Sequence, residues 1–239
     1  MTSITALADV DIWNMALGHL GISVQVSSLS PPDQNPQGVA GAFWYPKCRD
    51  QLLQSAPWNF ADTNINLVQE PVPSTTGPLL GYAAPGWPYS YQYPNDVLQP
   101  LCVTTLAGQR NGPQFWLGYW WPSFGMTLAI PKIPFKVVES QANPGSLCIL
   151  CDWLATAQNP LYLFYIQCVT NTAQFDPMFM DALSYLCAWK GGQQLRADSQ
   201  KIAECKESFK QLRLDALAQH LNANQQDLER DSPSIQARW

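Results

Sequence analysis

The sequence predicts an α+β protein: a four-helix bundle formed by N- and C-terminal helices, an inserted, mostly antiparallel β domain, and an extended C-terminal arm. Three observations predict it. Apolar residues recur at helical spacing near both ends of the chain. Between them, from Pro71 to Phe135, lie eleven of the twenty prolines and only three charges, Asp96, Arg110 and Lys132, a composition that excludes long helix. Beyond Asn222 the chain turns polar. Helix, strand, helix is the order of an α+β chain with an insertion. The bounds read as 1–62 for the first helical part, 63–171 for the β insertion, 172–222 for the second helical part and 223–239 for the arm.

Taken in order, Ala8 to Leu20 reads as a helix, with Ile12, Met15, Ala16 and Leu20 on one stripe and Gly21 placed for a left-handed cap. Pro31-Pro32 and Asn35-Pro36 punctuate a loop. A second helix spans Gln37 to about Ser55, with Val39, Phe43, Leu52 and Leu53 as its apolar side. Pro46 is expected to kink it or split it. Pro57 pushes Ala56 out of the helical region, so the helix stops there, and Trp58 and Phe60 are placed to pack back over its end.

Short strands are expected at Tyr89–Tyr93, Val97–Thr105, Met126–Ile130, Lys136–Glu139, Leu147–Trp153 and Leu161–Thr170, where β-branched and aromatic residues concentrate. Asp176-Pro177 is a helix start, an acidic cap followed by proline at the first helical position. Phe179, Ala182, Leu183, Leu186 and Trp189 form the stripe of that helix, and Gly191-Gly192 is expected to weaken or end it. A last helix covers about Ala197 to Asn222, with Ile202, Cys205, Phe209 and Leu212 on one stripe and Leu214, Leu217 and Leu221 on another. Leu228, Ile235 and Trp239 are the apolar anchors of the arm.

Composition narrows the function. Of 239 residues, 46% are hydrophobic, enough for a core, but only 13% are charged, about half the usual share. With ten Trp, nine Tyr and nine Phe, that balance suits a surface shared with neighbours. The net charge of −5 and the lack of a Lys/Arg cluster disfavour tight DNA binding; a neutral or acidic wall suits a passage through which DNA slides. The seven cysteines are an odd number with no signal peptide before them, which points to a reduced cytoplasmic chain. No apolar run reaches ~18 residues, so no membrane span is expected.

Catalytic and metal chemistry find little to work with, and no catalytic residue, cofactor or metal is assigned. Cys148 and Cys151 have a metal-like spacing, but a structural zinc needs four ligands and no second pair exists; buried thiols, a redox pair and a metal site stay open. His19 and His220 read as helix residues near C-terminal ends. Glu204 and Glu207 could serve a glycosidase only if one were kept protonated, and Lys201, Lys206 and Lys210 beside them suggest an exposed ion-paired face. Asp96 sits in a turn-like string where aspartate is common. The run from Phe115 to Gly125, "FWLGYWWPSFG", fits a β core, an interface anchor or a sugar-stacking surface.

Several blocks resemble one family. "WNMALGHLG", "SSL", "FWYPKCRDQLLQSAPWNFA", "WPYSYQYPNDVL", "FDPMFMDALSYLCAWKGGQQL" and "RDSPSIQARW" follow one another as in the tail tubular protein A, or head-to-tail adaptor, family of short-tailed bacteriophages. The resemblance implies a virion protein without catalytic activity, made in the host cytoplasm. It would form a dodecameric ring at the head–tail interface, between the portal protein and a tail nozzle of the tail tubular protein B type. DNA would pass through the lumen during ejection without sequence-specific binding. The framework positions it implies are Asn14 and Gly21 at the first helix; Arg49, Asp50, Pro57, Trp58 and Asn59 at the second helix and its corner; and Asp176, Pro177 and Phe179 at the third. The portal contact it implies is C-terminal, through Ile235, Arg238 and Trp239. The rival is a cell-wall glycan-binding or peptidoglycan-hydrolysing virion protein that uses the aromatic run and the Glu204/Glu207 pair.

Overall fold

The computed structural model describes residues 8–56, 58–70, 86–105, 132–140 and 143–230, and it is a mixed α+β fold. The helices are α1 (Asp9–His19), α2 (Pro36–Ser55), α3 (Pro177–Gln194) and α4 (Ser199–Arg230), with one 3-10 turn at Thr172–Gln174. The strands are β1 (Asp62–Asn66), β2 (Tyr89–Gln92), β3 (Val97–Thr104), β4 (Lys132–Ile133), β5 (Phe135–Glu139), β6 (Leu147–Cys151) and β7 (Tyr162–Gln167). Two compact units divide the chain: Met1–Ala61 with Cys168–Ala223, and Asp62–Gln167 with Asn224–Trp239.

In the helical unit α3 packs against both α1 and α2. Its buried residues, from Phe179 through Ala182, Leu183, Leu186 and Cys187 to Gly191 and Gly192, face almost every direction, as expected of a central helix. Gly191-Gly192 does not end α3, which continues to Gln194. A Cβ on Gly191 would lie 2.7 Å from the Trp13 ring, and one on Gly192 would lie 2.9 Å from Ile202; the glycines are there because neighbouring side chains occupy the space.

The same contact explains α2. Val39 and Phe43, expected on the buried side, are 49% and 50% exposed. The face turned inward is small: Gly38, Ala40 and Gly41, then Tyr45, Cys48, Leu52 and Leu53. A Cβ on Gly41 would come within 2.7 Å of Trp13 Nε1. Trp13 is therefore gripped between glycines of α2 and α3, fully buried, with Nε1 donating to Gln37 O at 3.1 Å. α2 also runs unbroken across Pro46, which is exposed. It starts one residue before the expected Gln37: Asn35 caps it through Gly38 N at 2.6 Å, with Pro36 at the first position.

In the β unit, the described strands form a four-stranded antiparallel sheet in the order β1-β7-β3-β4 and a three-stranded one in the order β2-β6-β5. Leu67, Tyr91, Val103, Ile149, Leu161 and Leu163 are central to their core. β1, of sequence DTNIN, was not expected, because its composition is poor in strand formers and it is held by pairing with β7. The expected strand at Met126–Ile130 lies outside the described residues. Residues 223–230, expected in an extended arm, instead continue α4 as helix to Arg230; the run Asn222–Arg230 holds no proline or glycine, and its good helix formers Ala223, Gln225, Gln226, Leu228, Glu229 and Arg230 outnumber Asn222, Asn224 and Asp227.

Candidate functional site

The framework positions fall on the ends and joints of the helical unit. Asn14, on α1, donates from Nδ2 to Val26 O at 2.9 Å and accepts from Val26 N at 2.8 Å, pinning the following loop with both ends of one amide. Gly21 has φ +73 and closes α1: Gly21 N donates to Gly18 O and Ile22 N to Leu17 O, each at 2.9 Å, the paired bonds of a Schellman cap. A side chain there would meet the Lys201 ammonium. Arg49 grips Asp50 with Nε at 2.9 Å and Nη2 at 2.8 Å. Cys168 Sγ lies 3.7 Å from both Arg49 Nη2 and Asp50 Oδ1; burial first, then Asp50, pushes that thiol up, so it is no activated nucleophile.

The corner after α2 is built on Trp58. Ala56 is extended, at φ −154 and ψ 153; Pro57 lies outside the described residues. The last carbonyls of a helix have no partner inside it, and here side chains supply them. Trp58 Nε1 donates to Leu52 O at 2.9 Å, Ser55 Oγ to Leu52 O at 2.8 Å and Arg213 Nη2 to Ser55 O at 3.2 Å. The buried Trp58 ring meets Phe179 edge-on at 4.9 Å. Phe60 and Phe175 complete the cluster at 5.1 and 4.7 Å from Phe179, within the range where aromatic pairs attract. Phe179 N is also the group that Asp176 caps, at 2.6 Å, with Pro177 at the first helical position. The α2 exit and the α3 start are thus fixed on one another. Asn59 is exposed on the turn, closed by Ala61 N donating to Trp58 O at 2.9 Å. Ile235, Arg238 and Trp239, and the Phe115–Phe124 run, lie outside the described residues.

The grouping that looks most catalytic is His19, Ser184 and Asp181. His19 Nε2 is 3.0 Å from Ser184 Oγ and its ring stacks on Tyr185 at 3.9 Å. Ser184 Oγ also donates to the backbone carbonyl Asp181 O at 2.8 Å, an acceptor that competes with the imidazole for the hydroxyl proton. Burial lowers the His19 pKa, with the Asp181 charge opposing. Ser184 is fully buried, so this is a helix-pairing contact.

Glu204 and Glu207 are exposed. Glu207 accepts from Lys210 at 2.7 Å, and that bond lowers its pKa, the reverse of what a general acid requires. Cys148 and Cys151 are both buried, and desolvation raises both thiols, Cys148 to about 11. Asp96 Oδ2 accepts from Tyr165 at 3.1 Å and Gln167 at 2.9 Å, tying the β2–β3 turn to β7. Among the described residues no group of three or more His, Cys, Asp or Glu is placed to hold a metal ion. Among them too, no helix is long and apolar enough to cross a membrane.

Two features escaped the sequence. Trp13 sits one position after Ile12 in the expected stripe, and the signal that could have found its role is the spacing of glycines on two other helices. Glu70 is buried in the β unit, with Ser90 Oγ at 2.8 Å on one oxygen and Ser140 Oγ at 2.7 Å on the other; a lone acid beside a proline-rich stretch gives no such signal. No family model matches the chain, and no match was found among curated proteins.

Proposed function

We propose that the chain is a structural virion subunit, a head-to-tail adaptor that assembles as a dodecameric ring on the portal, extends the DNA channel and presents a platform for the tail nozzle. In this reading the four helices work as one bundle, the β domain is an insertion, and the segment after Arg230 is the arm that docks on the portal through Ile235, Arg238 and Trp239. What supports it is the corner at Trp58. A ring subunit has to hold its contact faces at a set angle, since heterologous contacts close only when the rotation is right. The indole that ties the α2 exit to the α3 start fixes such an angle, and the framework residues carry packing, capping and ion-pair roles. The resemblance of the sequence blocks quoted above, two of which contain this corner, supports the same reading. Burying an isoleucine and a tryptophan of the arm contributes roughly 3–5 kcal/mol per subunit before ordering costs.

The test is negative-stain microscopy of the chain mixed with its portal, where twelvefold rings capping the portal are expected. A chain lacking Ser232 to Trp239 is expected to fold but to lose co-sedimentation with portal; unchanged co-sedimentation counts against the arm. The glycan-hydrolase alternative predicts clearing of purified murein that is lost on replacing Glu204 or Glu207.

A further inference from the structure

At one end of the β unit a groove of about 420 Å³ is lined by the segment from Ile65 to Glu70, the turn after β2 and the β5–β6 hairpin. Its volume falls within the roughly 300–1,000 Å³ of small-molecule sites. Its walls are fixed from below. The Glu70 carboxylate joins Ser90 on β2 to Ser140 beyond β5, and Ser140 Oγ in turn accepts from Asn143 N at 3.1 Å. Tyr93 packs against the β core, so its ring is a firm side of the groove.

The lining chemistry is selective. Among the described lining residues Glu70 is the one carboxylate, both its oxygens taken by buried serine hydroxyls, and none is lysine, arginine or histidine. Phosphate and acidic peptides therefore find no counter-charge among these residues, and a cation finds only a buried carboxylate whose oxygens already accept from Ser90 and Ser140. The polarity facing solvent is amide: the exposed side chains of Asn66, Gln92, Asn95 and Asn143 are not engaged by other described residues. Each offers a donor and an acceptor side by side, the pattern that adjacent ring hydroxyls require. Ile65, Val68 and Leu147 are 40%, 60% and 49% exposed and offer apolar contact to C–H faces. Addition of a peptide strand is disfavoured, because backbone groups along the floor are already paired: Leu67 N to Leu161 O, Glu70 N to Ser90 O and Gln92 N to Val68 O.

We propose that this amide-lined groove binds a short neutral saccharide. The site lies in a different unit from the Trp58 corner, and its test reads a ligand, so it stands or falls apart from ring assembly. The measurement is saturation-transfer difference NMR on the full chain with two probes, N,N′-diacetylchitobiose for cell-wall amino sugars and maltose for neutral hexose polymers. Transfer to at least one is expected, and the probe that responds identifies the source. Gln92→Ala and, as a second variant, Asn66→Ala are expected to weaken that binding at least about tenfold while keeping the wild-type thermal midpoint. No transfer to either saccharide overturns the proposal. So does transfer that neither variant weakens, which puts the sugar elsewhere, and so does binding of the uncharged peptide acetyl-Thr-Val-Asn-Val-Thr-amide in place of both sugars.

Discussion

The helical unit and the β unit solve burial differently. In the first, Trp13, Trp58 and Phe179 fill the interior by shape, with glycines of two helices where the Trp13 ring comes close. In the second, a carboxylate is taken out of water and kept there by two hydroxyls. Shape-filled interiors lose stability through cavities; polar ones lose it through orphaned partners. The two units should therefore respond to different kinds of change.

The largest effect is expected from Trp58→Ala, which removes a buried indole and uncovers Leu52 O; a loss of about 3–5 kcal/mol should be read in urea denaturation. Glu70→Ala leaves the Ser90 and Ser140 hydroxyls buried without their partner, for about 1–3 kcal/mol, and Glu70→Gln should recover part of it. If the β unit tolerates Glu70→Ala as it would a surface change, the contrast between the units fails. Asp176→Ala removes the cap on Phe179 N and is expected to cost about 1 kcal/mol of stability in the same urea denaturation.

The smallest effect is a pH dependence confined to the helical unit. Burial lowers the His19 pKa below 6.5 in the fold, with Asp181 opposing. The unfolded chain then takes up the proton first, so the His19 contribution is complete above the unfolded value and is lost as pH falls toward the folded one. Melting curves between pH 8 and 5 should show that decline, and His19→Gln should flatten it.

Much of this was legible where the cause is local. The Asp176-Pro177 start, the Gly21 cap and the Ala56 stop depend on neighbours within a few residues, and the residue types announce them. What was hidden depends on distant partners. Gly191-Gly192 reads as a helix end until Trp13 is seen against it. Val39 and Phe43 read as core because periodicity counts bulk, whereas the first turns of α2 put Gly38, Ala40 and Gly41 inward. β1 forms because β7 lies alongside. The candidate site divides the same way: Trp58 was found from the proline before it, while the buried Glu70 and the groove above it depend on strands far apart in the chain.

The two glycines of α3 carry one more consequence. Alanine is the strongest helix former and glycine among the weakest, so replacing glycine inside a helix normally strengthens it. At residue 191 the added methyl has only an indole to push against. A propensity scan along α3 should therefore run backwards there, with the best helix former acting as a spacer that prises two helices apart.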